Sequence, residues 1–76
     1  SKDVLTKQQA EALTNRRVLT AQVDKFIIEA SEKDEDIPFT LLEARENLRL
    51  AKDPDHLGFA TQLLQSEWDY IKRKKR

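Results

Sequence analysis

Residues 36–55 read DIPFTLLEARENLRLAKDPD, and the two prolines in this stretch decide the fold. Each removes a backbone amide and biases the residue before it away from helical geometry, so Pro38 and Pro54 are helix boundaries. Between them, Thr40 stands as an N-cap with Glu43 three residues on, and Phe39 occupies the position of a hydrophobic staple. This spacing predicts a helix over about 40–52, with Leu41, Ala44, Leu48 and Ala51 on its buried face. Glu43, Arg45, Glu46 and Arg49 fall outside that face and read as solvated surface. Asp53-Pro54 then does two jobs: it ends one helix, and it supplies an N-cap and a first-turn proline to the next. Asp55 adds favourable negative charge to that new first turn.

Downstream, Leu57, Ala60, Leu64, Trp68 and Ile71 recur at intervals of three and four, which predicts a helix over about 54–74. Phe59, Leu63 and Tyr70 form a second stripe about 120° round the same helix. Upstream, Thr6 and Gln9 have capping-box spacing, with Leu5 placed to staple onto Ala10. Ala12, Leu19, Val23, Phe26 and Ala30 continue one face to Ser31, widened by Leu13 and Ile27 and interrupted by Gln9 and Arg16. A first helix over about 6–31 follows, ending in the charged connection Ser31 to Asp36. Residues 1–5 are expected to be a flexible leader, and residues 6–76 a single helical domain. The start at Ser1 reads as that of an excised piece.

Short connections favour antiparallel neighbours, so the expected architecture is all-α: a small three-helix bundle, up-down-up, with a long first helix. The expected helix lengths are roughly 40, 20 and 30 Å. The first helix therefore outruns the second, and its first half is expected to bend near Asn15, fray, or pack on something else.

Composition agrees with helix. The 76 residues include one Gly and two Pro, and no cysteine is available for a disulfide or a thiolate metal site. Charged residues make up 37% of the chain, but the periodic apolar positions argue against disorder. The net charge is zero yet sorted: +2 over residues 1–17, −4 over 18–36, −3 over 37–69 and +5 over 70–76. No segment approaches the roughly 20 apolar residues of a membrane span. Together with the missing cysteines, this gives a cytoplasmic expectation, with nuclear import through the basic run as its alternative.

Catalysis finds no support. His56, the single histidine, sits at a helix start among short-range carboxylates with no second imidazole. No nucleophile elbow or phosphate-cradling glycine loop is present. The acidic run Glu32 to Asp36 lacks the central glycine and alternating ligands of a calcium loop. The expectations are accordingly no enzyme, no cofactor, no metal, no membrane and no small-molecule substrate. No helix-turn-helix, J-domain tripeptide or tetratricopeptide spacing is found.

What remains are apolar residues beyond the narrow core stripes, Leu42 among them. Val18, Ile28, Leu50, Phe59, Leu63 and Tyr70 are the candidates for contact with a protein partner, with self-association as a homodimer through the first helix as a further reading. The expected function is a helical protein–protein interaction module, adaptor or regulatory protein. The alternative is nucleic-acid binding through Lys72, Arg73, Lys74, Lys75 and Arg76. Against that alternative, the basic run suits the negative end of its own helix and falls near the acidic loop in an up-down-up bundle.

Overall fold

A computed structural model describes residues 6–74, and all the regular structure among them is helical. α1 runs Lys7–Glu32, α2 Phe39–Leu50 and α3 Pro54–Lys74. The expected leader 1–5, including the Leu5 staple, lies outside the described residues.

α1 opens with the expected capping box. The Gln9 amide donates to Thr6 Oγ1 at 3.1 Å, and the Thr6 amide donates to Gln9 Oε1 at 3.0 Å. The other end closes through a device that the spacing did not predict. Asp34 takes a left-handed φ of 57°, a conformation in which Asp and Asn are the non-glycine residues most easily accepted. The Glu35 amide then reaches back to the Ala30 carbonyl (2.8 Å) and the Asp34 amide to that of Ser31 (3.2 Å). This is the Schellman pattern, and it satisfies carbonyls that the helix end would leave orphaned.

α2 starts one residue earlier than expected. Thr40 is not its N-cap: Pro38 is, and no side chain caps this end. The Pro38 carbonyl, set by an extended ψ of 129°, accepts from the amides of Leu41 (3.1 Å) and Leu42 (3.3 Å). Phe39 consequently enters the first helical turn instead of stapling it, and is 72% exposed. α2 stops at Leu50, two residues short of the expected end, and residues 51–53 form the connection. Asp53 caps α3 as expected, its Oδ1 accepting from the His56 amide at 2.9 Å.

The three helices meet around one core. Leu19 and Val23 come from α1, Leu41, Ala44 and Leu48 from α2, and Ala60, Leu64, Trp68 and Ile71 from α3. Phe26, Ile27, Ile37, Ala51, Leu57 and Leu63 pack round its edge. The buried alanines Ala44 and Ala60 suit close approach of α2 and α3, the most intimately packed pair. Trp68 fixes the third helix: its indole N–H donates to Gln22 Oε1 at 3.2 Å, and its ring meets Phe26 edge-on at 5.5 Å. α2 is tied to α1 by Arg45, whose Nε donates to Asp24 Oδ1 (2.8 Å) and whose second guanidinium nitrogen donates to Oδ2 (3.1 Å). That hydrogen-bonded partner raises the Arg45 pKa above its already high ordinary value. Gln9 to Arg16 line one cleft with Pro54 to Gly58, and farther along both helices Gln22 bonds Trp68 and Glu29 lines a cleft with Lys72, so α1 and α3 run parallel.

The length mismatch survives in the folded chain. At 1.5 Å per residue, helices of 26, 12 and 21 residues span about 39, 18 and 31 Å. The molecule measures 49 × 22 × 20 Å, and its radius of gyration of 14.0 Å exceeds the roughly 11.4 Å expected of a compact domain this size. α1 neither ends nor breaks at Asn15 but continues as helix along the start of α3. Its buried residues, Leu19, Val23 and Ala30, all lie in its second half. Ala12, expected on the core face, is exposed, because α2 ends before it can cover that turn.

Gly58, in the second turn of α3, is not required by the backbone. Its φ is not positive, and a Cβ placed on it would meet nothing within 4 Å. Gly58→Ala is therefore expected to raise stability by about 0.5–1 kcal/mol, by removing conformational freedom from the unfolded chain. A urea denaturation midpoint that falls in this variant would show a constraint at the site that the geometry does not contain.

Candidate interaction surfaces

The stripe on α3 is built by helical spacing alone. Phe59, Leu63 and Tyr70 stand four and seven residues apart and so share a face that runs about 16 Å along the helix axis. They differ in depth. Leu63 is half-buried against the core, so it forms the floor of the stripe and is not itself a free contact. Phe59 and Tyr70 rise on either side of it, 67% and 52% exposed. The Lys74 ammonium lies 5.6 Å from the Tyr70 ring centroid, which sets a cation at one end of the stripe. Leu50 is also exposed, at the end of α2, and the three-residue connection to Pro54 keeps it at the same end of the bundle as Phe59.

The remaining sequence candidates do not join this surface. Val18 and Ile28 are both exposed on α1, but ten residues put them about 80° apart, on different flanks. Ile28 has neighbours that the candidate set omitted. It lies one turn beyond Asp24, whereas Leu42 and Phe39 precede Arg45 on the antiparallel α2. The Asp24–Arg45 pair therefore places exposed Ile28, Leu42 and Phe39 at one end of the α1–α2 face. Their exposure had a signal in Leu42 lying off the core stripe. Phe39 was hidden by its reading as a staple.

The basic run is partly engaged with its own helix. Lys72 Nζ is 3.6 Å from Asp69 Oδ1 and 5.9 Å from the Trp68 ring centroid, and Lys74 is held by Tyr70. Arg73 is exposed, while Lys75 and Arg76 lie outside the described residues. Glu29 near the end of α1 and Lys72 near the end of α3 line one shallow cleft of about 410 Å³, so the acidic end of α1 and the basic end of α3 are neighbours, as expected. On the outer side of α2, Arg49 donates to both Glu46 oxygens (2.7 and 2.6 Å), and this holds the Glu46 carboxyl below the usual carboxylate range.

A second cleft of about 410 Å³ opens between the first half of α1 and the start of α3. Among the described residues, no group of three His, Cys, Asp or Glu side chains is placed to hold a metal ion, and His56 is exposed. No helix among them is long and apolar enough to cross a membrane. The chain matches no protein-family model, no curated protein and no solved structure.

Proposed function

We propose that this chain is a non-catalytic helical interaction module that docks a protein partner on the Phe59–Tyr70 face of α3. One observation carries the reading: two aromatic rings stand exposed on one helix face over a half-buried leucine. Aromatic side chains contribute large contact area for little conformational entropy, and they dominate the binding energy of protein interfaces. A helix laid along the stripe would meet Phe59 and Tyr70 at the spacing of its own anchors, with Leu50 extending the apolar area past the end of α2. The surplus has no evident use in the fold, since the core closes without either ring.

The test is comparative capture. Immobilised wild-type chain and a Phe59→Gln/Tyr70→Gln variant are exposed to lysate with and without nuclease, and the recovered proteins are quantified. The expected result is a protein that survives nuclease on the wild type and drops at least about tenfold on the variant, the loss of roughly 1.4 kcal/mol or more typical of a hot spot. Equal recovery on both would overturn the reading. Recovery that collapses with nuclease would overturn it in favour of nucleic acid held by the Lys72–Arg76 run, and deleting that run would then flatten the salt dependence. A mass that rises with concentration for the wild type but not for the variant would identify the partner as a second copy of the chain.

A further inference from the structure

We infer that the cleft between the first half of α1 and the start of α3 is a binding site for a small amphipathic carboxylate. This goes beyond the interaction-module reading and uses a different face of α3: Gly58, which lines the cleft, is 100° round the helix from Phe59. At this end of the bundle α2 has stopped at Leu50 and α3 begins at Pro54, while the first half of α1 runs on beside the first turns of α3, and the cleft opens between those two. The space left is about 410 Å³, within the range of small-molecule sites, and clefts between the helices of a bundle are a common place for them.

Its walls are chemically simple. Ala12, Leu13, Pro54 and Leu57 make them apolar, and Gly58 lines the α3 side with open space where a side chain would stand. Polar groups stand only at the two ends of the α1 wall. Gln9 and Arg16 are seven residues apart, hence about 10 Å along the helix. Gln9 has its carbonyl oxygen committed to the capping box. Arg16 is half-buried and has no hydrogen bond or ion pair among the described residues, whereas Arg45 and Arg49 each bind a carboxylate through two nitrogens. A guanidinium with no carboxylate partner among the described residues, standing at one end of an apolar trough, fits a planar carboxylate at its fork, with the ligand's apolar body lying over Ala12, Leu13 and Leu57 towards Gln9. The negative charge is required of the ligand because the site itself supplies none.

The experiment uses decanoate as the probe and decan-1-ol as its uncharged counterpart, titrated into uniformly ¹⁵N-labelled chain and followed by amide chemical shift. Gly58 is the only glycine in the sequence and so a readily assigned reporter inside the cleft. The expected result is a saturable Gly58 shift with a decanoate Kd below about 1 mM, and binding of the alcohol at least about tenfold weaker. Arg16→Gln should lose about the same factor for decanoate, and Arg16→Lys should recover part of it. Gly58→Leu should fill the cleft and abolish binding while the far-ultraviolet circular dichroism stays helical, with the Ala12 and Leu13 amides as reporters. Three results would each overturn the inference: no saturable shift at Gly58 up to about 5 mM, equal affinity for acid and alcohol, or shifts centred on Phe59 and Tyr70. None of them bears on the capture of a protein partner by the α3 stripe.

Discussion

Trp68→Ala is expected to lower the midpoint of thermal unfolding by at least about 12 °C. Removing a buried tryptophan costs about 3–5 kcal/mol, and in a domain of this size each kcal/mol is worth about 4–8 °C. A 76-residue chain has little to spare: at about 0.05–0.15 kcal/mol per residue its whole stability is of order 4–11 kcal/mol, and small domains fall at the low end. The substitution also removes the indole bond to Gln22 and the edge contact with Phe26, the two interactions that register α3 against the second half of α1. Gln22 is exposed and can turn to water, so most of the loss comes from packing. Trp68→Phe keeps an aromatic ring but loses the five-membered part of the indole with its N–H donor, so it should cost less than the alanine variant, about 1–2 kcal/mol. Circular dichroism at increasing temperature reads both. A shift under about 4 °C for the alanine variant would place Trp68 outside the core.

The second large effect is a contrast between neighbours. Leu41 is fully buried and Leu42 is 38% exposed. Leu41→Ala should cost about 2–5 kcal/mol and Leu42→Ala well under about 1 kcal/mol, measured by urea denaturation. The reason is geometric: one residue is 100° of rotation, and α2 has a single stripe, Leu41, Ala44 and Leu48, directed at the core. A helix of 12 residues is marginal in isolation, so α2 depends on that stripe for its existence. The Asp24–Arg45 pair adds little to it, being partly exposed and screened. Comparable losses at both leucines would mean that α2 is rotated from its place here or is covered on its outer side by something else.

Most of the architecture was legible because it is written in local periodicity. The core residues of α2 and α3 all lie on stripes readable at intervals of three and four, and the Thr6–Gln9 box and the Asp53-Pro54 start depend on residues next to each other in the chain. What could not be read depends on partners far away in sequence or on a choice between two valid local signals. Pro38 read as a boundary and Thr40 as the N-cap, yet the helix begins directly after the proline, whose carbonyl accepts from the Leu41 and Leu42 amides. Ala12 continues the α1 stripe in sequence, but burial needs a covering helix, and α2 is too short to provide one. Asp34 carries no periodic signal, since its role is a backbone conformation. The Asp24–Arg45 and Gln22–Trp68 contacts join residues 21 and 46 apart, and neither has a spacing rule to announce it. The candidate surface was half legible: the α3 stripe could be drawn from the sequence, whereas the depth of Leu63 within it, and the cleft at Arg16, follow from how long each neighbouring helix turns out to be.

Phe59 and Tyr70 stand exposed, outside the core that the three helices share, and the proposed docking requires them to be surplus to the fold. The most direct measurement is urea denaturation of Phe59→Gln/Tyr70→Gln beside wild type, in the absence of any partner. Gln is a good helix former, so the expected result is an unchanged slope and a stability within about 1 kcal/mol of wild type. A loss of about 3 kcal/mol or more would contradict it, because a cost of that size marks side chains packed in a core.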